Sequence, residues 1–151
     1  MTTAEAEIYQ EVRFELIRFA TALVGPDDAQ DLVASVVANA LERPGGLIGL
    51  DEPLPYLMKS VLNSARNSAR RRRVVHMVPL EAAAEPSAFD RVDDTLDLVL
   101  KLPPRQRAAT FLVYWEQHTP SEAAQLMGCR PGTVRRYLHL ARKKLKETLD
   151  G

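Results

Sequence analysis

The chain has 151 residues, 46% of them hydrophobic, with 20 Lys and Arg against 20 Asp and Glu and a formal charge of zero. This length admits one domain or two small ones, the single Cys129 excludes an internal disulfide and fits a reducing compartment, and no apolar run approaches the ~20 residues of a membrane span. The first residues are acidic and polar and do not read as a signal peptide, so the expectation is a cytoplasmic protein with no membrane insertion.

In chain order, Ile8, Val12, Leu16, Phe19, Ala20 and Leu23 recur at helical spacing and predict a first helix. Gly25-Pro26-Asp27-Asp28 stops it and opens the next, with acids at the positive end of the new helix dipole. The second stripe is Ala29, Leu32, Val33, Val36, Val37, Ala40 and Leu41; its valines favour strand by propensity, but steps of three and four decide for helix. Arg43-Pro44-Gly45-Gly46 breaks it, and a loop is expected through Gly49 to Pro55. Leu54, Leu57, Met58, Val61, Leu62, Ala65 and Ala69 mark the third helix. Between Val74 and Phe89 the periodicity fades among Pro79, Pro86 and an alanine–glutamate run, which reads as a linker spanning at most ~50–58 Å when extended. Phe89, Val92, Leu96, Val99 and Leu100 predict a fourth helix, and Pro103-Pro104 a fifth, with Ala108, Phe111, Leu112 and Trp115 facing inward. The expected fold class is all-α: two small helical domains, residues 1–74 and 90–151, joined by a linker over 75–89. Each has a small core of its own and modest stability.

The last two helices carry the sharpest local signals. Thr119-Pro120-Ser121-Glu122 has the pattern of a capping box, with Pro at the first helical position and Glu three residues after the cap. Ala123, Ala124, Leu126 and Met127 give a short apolar face, and Gly128 supplies the left-handed residue that ends a helix. Pro131-Gly132-Thr133 opens the final helix, with Val134, Leu138, Ala141 and Leu145 inward and Arg135, Arg136, His139, Arg142 and Lys143 outward. Two helices, a glycine turn and a basic outer face make a helix-turn-helix suited to duplex DNA.

Zero net charge hides a strong segregation. Lys59 to Arg73 holds six basic residues and no acid, Arg130 to Lys146 holds seven and no acid, and the remainder carries a net charge of −13. Local basic faces, more than global charge, are the footprint of phosphate binding. On the third helix Lys59, Asn63, Arg66 and Arg70 follow one another at steps of four, three and four, opposite the apolar stripe, with Asn67 beside them and Tyr56 at the start. Amides and cations on one face can bond base edges and phosphates, and an aromatic beside a loop can stack on an unpaired base.

Other chemistries find little support. His76, His118 and His139 are scattered and match no zinc spacing, so neither a metal nor a cofactor is expected. There is no glycine-rich phosphate loop, catalytic triad or carboxylate pair, so no enzyme is expected. Asp90, Asp93, Asp94 and Asp97 read as one outer helix face, Phe111 and Trp115 as core, and Cys129 as a small apolar plug.

These residues resemble a family. Leu102-Pro103-Pro104-Arg105-Gln106-Arg107, the Thr119–Leu145 motif with Gly132-Thr133-Val134-Arg135, and Ala141-Arg142-Lys143-Lys144-Leu145 look like region 4 of a bacterial sigma factor. Gly25 to Val33 looks like the start of the core-binding helix of region 2, and Tyr56 to Asn63 with the following arginine run looks like its promoter-reading helix. Val78-Pro79-Leu80 before the acidic linker also fits. The resemblance covers nearly the whole chain and is nearest to the extracytoplasmic-function group of the sigma-70 family, which has regions 2 and 4 only, and to its actinobacterial members. The family usually continues with Gln-Glu and an aromatic where Ala34, Ser35 and Val37 stand, and often has Trp in place of Tyr56.

The resemblance implies a transcription initiation factor whose partners are core RNA polymerase and promoter DNA, with an anti-sigma factor as a further candidate. It implies that Arg130, Thr133, Arg135, Arg136, His139, Arg142 and Lys143 face the −35 duplex, and that Tyr56, Lys59, Asn63, Arg66, Asn67 and Arg70 face the −10 element. Residues Gly49 to Pro55 would capture a flipped base, and Asp27, Asp28, Asp31, Ala34 and Ser35 would lie against core polymerase. The two DNA elements are about two helical turns apart, ~70 Å. Two alternatives stand beside this reading: a helix-turn-helix regulator that never binds core polymerase, and a sigma mimic that titrates an anti-sigma factor.

Overall fold

The computed structural model describes residues 1–75 and 94–150, with side chains at 1–68 and 97–149. The linker expected over 75–89, the apolar residues Phe89 and Val92, and His76, Asp90 and Asp93 therefore lie wholly or almost wholly outside the described residues. So do the side chains of Arg70, Asp94 and Leu96.

Every regular element among the described residues is helical. Helix α1 runs Thr3–Val24, α2 Pro26–Glu42 and α3 Pro53–Val75; α4 is Asp94–Leu100, α5 Pro104–Thr110, α6 Pro120–Met127 and α7 Pro131–Asp150. The predicted stripes are the buried ones: Val12, Leu16, Phe19, Ala20 and Leu23 on α1, Ala29, Val33, Val36, Val37 and Ala40 on α2, and Leu57, Met58, Val61, Leu62 and Ala65 on α3. Gly25 has φ +89° and ends α1, and Pro26 starts α2 with Asp27 and Asp28 in its first turn. Where a loop was expected up to Pro55, α3 has already begun at Pro53. Proline is well suited to a first helical turn, whose N–H groups have no intrahelical acceptor.

Helix α5 passes directly into a π-helical turn, Phe111–Trp115, closed by the Glu116 N–H donating to the Phe111 carbonyl at 3.1 Å. The wider turn changes the angular step along the chain. Leu112 is buried and Phe111 partly buried, whereas Trp115, expected in the core, is 42% exposed. Gln117, at φ +57°, adopts a left-handed conformation just after this turn.

The two halves share one core. Helices α1, α2 and α3 pack on one another, α5, α6 and α7 do likewise, and α3 lies against α5 and α6 while α1 lies against α4 and α5. The buried cluster runs continuously from Leu16 and Phe19 through Leu57 and Val61 to Ala109, Leu112, Met127 and Val134. This differs from the expectation of separate small cores. The reason is geometric: α1 and α3 each carry apolar surface beyond the face that a three-helix bundle covers. Phe19 meets Phe111 with ring centroids 6.3 Å apart, and Ala22, off the predicted stripe, is also buried.

Candidate nucleic-acid interface

The helix-turn-helix is built as its residues dictate. Thr119 Oγ1 accepts from the Glu122 N–H at 3.1 Å, and Glu122 Oε1 accepts from the Thr119 N–H at 3.0 Å, so two orphan donors of α6 are satisfied reciprocally. The Thr119 N–H donating to it holds the Glu122 carboxyl below its ordinary value. Gly128 ends α6 in the left-handed region at φ +73°, and the Cys129 N–H donates to the Ala124 carbonyl at 3.0 Å. Cys129 is half-buried, and burial pushes its thiol up, as suits an apolar plug. On α7, Val134, Leu138 and Ala141 are buried, while Arg135, Arg136, His139, Arg142 and Lys143 are exposed, as is Arg130 just before the helix. Thr133 is half-buried in the first turn. Two tyrosines brace the outer face: Arg105 Nη1 donates to Tyr137 Oη at 3.1 Å and Arg142 Nη1 to Tyr114 Oη at 3.0 Å. Arg142 is thereby partly engaged within the protein, and Arg135, Arg136 and His139 form the more available set.

Helix α3 presents the second cationic face. Tyr56, Lys59, Asn63, Arg66 and Asn67 are exposed on it, and Arg70 follows one turn after Arg66. Tyr56 is 40% exposed, and the Arg43 guanidinium lies 5.5 Å from its ring centroid. One ring face is thus occupied by a cation, a contact the sequence reading missed because Arg43 and Tyr56 lie on opposite sides of a loop. In that loop Leu47 is fully buried and Ile48 is 57% exposed.

The acidic positions on α2 form a third feature. Asp27, Asp28, Asp31, Ala34 and Ser35 are all exposed. Asp28, Asp31 and Ser35 line a polar groove of about 450 Å³ with Asn39 on α2 and Ser64, Asn67 and Ser68 on α3. The structure therefore brings Asn67, assigned from sequence to DNA, onto the same groove as three residues assigned to a protein partner.

The seam between the halves runs close to both cationic helices. The aliphatic stem of Lys59 crosses the helix-turn-helix at Gly128, where an added Cβ would come within 2.8 Å of Lys59 Cε. Arg18 Nη2 pairs with Glu116 Oε1 at 2.5 Å, and the Arg107 guanidinium donates both to the Leu102 carbonyl and, across the seam, to the Leu23 carbonyl. Arg18 and Glu116 stood in no motif noted in the sequence. Pairing across the seam has no periodic signature.

Comparison with known proteins places this geometry. The family profile described as sigma-70, region 4 matches residues 93–145. The chain is 32% identical to an RNA polymerase sigma-E factor of Streptomyces avermitilis, over 97% of this chain and 86% of that protein. It is 28% identical to the ECF RNA polymerase sigma factor SigL of Mycobacterium tuberculosis, over 95% and 87%. Among solved structures it is similar to the sigma factor RpoE from Bartonella quintana, crystallised in complex with the anti-sigma factor NepR. That match has a TM-score of 0.71 and 25% identity, and covers 99% of this chain and 98% of that one.

Proposed function

The chain belongs to the sigma-70 family of RNA polymerase sigma factors, in the extracytoplasmic-function group, and from this premise we propose that it directs core RNA polymerase to specific promoters. The observation that carries the proposal is a relationship covering both halves in order, joined to two exposed cationic helices on those same halves. Residues 1–74 act as a region 2-like domain, residues 90–151 as a region 4-like domain, and 75–89 as the connection. Arg135, Arg136 and His139, with Arg130, Thr133, Arg142 and Lys143 around them, read the −35 duplex from the major groove. Tyr56, Lys59, Asn63, Arg66, Asn67 and Arg70 face the −10 element. The groove of Asp28, Asp31 and Ser35, with Asp27 and Ala34 beside it, receives a basic element of core polymerase.

The protein works in the cytoplasm and catalyses no reaction of its own; polymerase does the chemistry. An anti-sigma factor is a further partner, supported by the likeness to a sigma factor bound to one. The test is run-off transcription with purified core polymerase and a promoter library. A set of transcripts sharing two spaced elements is expected. DNA binding without transcripts or core association would leave a plain helix-turn-helix regulator, and association with an anti-sigma factor alone would leave a sigma mimic.

A further inference from the structure

The loop between α2 and α3 is short and self-bonded, its Leu47 side chain enters the core, and one of its amides is tied to a distant carboxylate. The Gly46 N–H donates to the Arg43 carbonyl at 2.9 Å, the Gly49 N–H to Gly45 at 2.9 Å and the Leu50 N–H to Leu47 at 3.1 Å. Arg43 Nη1 donates to the Gly46 carbonyl at 3.1 Å while its guanidinium covers Tyr56. The Leu47 N–H has a different acceptor: Oε2 of Glu5, 42 residues away on the first turn of α1, at 3.3 Å. Glu5 is only 9% exposed, an unusual place for a carboxylate. Its other oxygen, Oε1, accepts from the Thr2 N–H at 3.2 Å and the Thr2 hydroxyl at 3.0 Å, which completes a capping box at the start of α1. The fit is close on the loop side as well. Gly46 has φ +55°, and a Cβ there would stand 2.6 Å from Glu5 Oε2.

We propose that Glu5 is a positioning residue for promoter opening: it links the start of α1 to the α2–α3 loop and so fixes the shape in which Ile48 and Tyr56 are offered to unpaired −10 DNA. The inference rests on the −10 reading of α3 given above. Leu47 enters the core, its amide is tied to Glu5, and the next residue, Ile48, is consequently held out in solvent. The amide and hydroxyl donors around Glu5 also hold its carboxyl below the ordinary range, so it stands ionised as an acceptor at neutral pH. An alanine cannot bridge these groups. A glutamine can turn its one carbonyl oxygen to Leu47 and its NH2 to the Thr2 hydroxyl, which can accept.

The experiment uses holoenzyme assembled on core polymerase and a promoter recovered by the run-off assay, with two probes: the single-stranded non-template −10 segment and the −35 duplex. Glu5→Ala is expected to weaken binding of the single strand by about fivefold to tenfold, the scale of one lost hydrogen bond, and to leave the −35 duplex unchanged. Glu5→Gln is expected to recover most of the loss. Thr2→Val, which breaks the cap but leaves the Leu47 bond, is expected to match wild type. Gly46→Ala, which displaces the carboxylate from the loop side, is expected to copy Glu5→Ala and covers the case in which Glu5→Ala does not fold. Unchanged single-strand binding in Glu5→Ala or in Gly46→Ala would overturn the proposal. Equal weakening of both probes, or Thr2→Val behaving like Glu5→Ala, would reduce Glu5 to a helix cap. A wild-type holoenzyme that does not distinguish the −10 strand from a scrambled one would overturn the −10 reading itself, a separate result.

Discussion

Gly128 carries two constraints at one backbone position. It ends α6 at φ +73°, where a side chain is strained, and it lies under the stem of Lys59. Gly128→Ala should therefore cost about 1–3 kcal/mol in urea denaturation. Lys59→Ala should remove the steric share and leave the backbone share, so that the double variant is less destabilised than the sum of the two. Full additivity would mean that the Lys59 contact carries no energy. The carboxylates at the two capping boxes make a second prediction. Glu5 and Glu122 are both held below their ordinary value of 4.5, mainly by the backbone N–H of their own cap residue. Depressed acids contribute fully above the unfolded value, and the contribution is lost as pH falls through the lower folded value. Thermal stability should be flat above pH ~5 and decline below it, and Glu5→Gln with Glu122→Gln should flatten that acid limb. An unaltered acid limb in the double variant would assign the loss to other carboxylates.

At the scale of elements, α7 and α2 carry opposite charge on their exposed faces, Arg135, Arg136, Arg142 and Lys143 against Asp27, Asp28 and Asp31. Replacing Arg135 and Arg136 together by Ala should weaken −35 binding by roughly 1–3 kcal/mol if either guanidinium reads a guanine, with relaxed preference at one base. Contacts to phosphate alone would weaken all duplexes alike and lower the salt slope. Unchanged promoter binding would remove α7 from the interface. On α2, Ala34 and Ser35 are exposed at the positions where the resemblance to region 2 implies a Gln-Glu pair, and Ser35 opens onto the groove with Asp28 and Asp31. Ala34→Gln with Ser35→Glu should tighten core polymerase about tenfold, the worth of one charge-assisted hydrogen bond at best. No gain, measured at one salt concentration, would mean that the aspartates already saturate this contact.

These elements were legible in the sequence because each is a local pattern. The stripes on α1, α2, α3 and α7, the Thr119 capping box and the glycine stops at Gly25 and Gly128 depend on neighbours within four residues. What was not legible depends on distant pairs. Thr2-Thr3-Ala4-Glu5 has the same spacing as the Thr119 box and could have been found, but nothing near it points to Leu47. Trp115 was misplaced because a π-helical turn follows from packing, with no motif to announce it. The outward positions of both cationic helices emerged as expected among the described side chains, which do not include Arg70, whereas their nearness at Lys59 and Gly128 was not foreseen.

For the whole molecule, the shared core decides how the halves behave. Phe19→Ala should cost about 3–5 kcal/mol, since the ring is fully buried and meets Phe111 across the seam. Trp115 is the only tryptophan and belongs to the other half, beside Ile17 and Arg18 of α1, so its fluorescence reports on that half and on the seam. Its unfolding transition should move together with the far-UV circular dichroism of the whole chain. A Trp115 transition that stays in place would show that the halves melt independently. The same compactness bears on DNA: a folded body of this length is roughly 40 Å across, well short of two elements ~70 Å apart. Reading both at once requires the seam at Arg18–Glu116, Phe19–Phe111 and Lys59–Gly128 to part, and the shared core sets the cost of that opening.

Arg107 adds a dimension of time. Its guanidinium serves the Leu23 carbonyl in the last turn of α1, a group that no later turn of its own helix can reach, from 84 residues downstream. At ~5–20 residues per second, roughly 4–17 s of synthesis separate Leu23 from its donor. Within that interval α2 is completed at Glu42 and α3 after it, while the flank of α1 that Arg107 and Phe111 will cover is still bare. A newly made chain thus leaves this flank of α1 uncovered until the residues that close on it have been made.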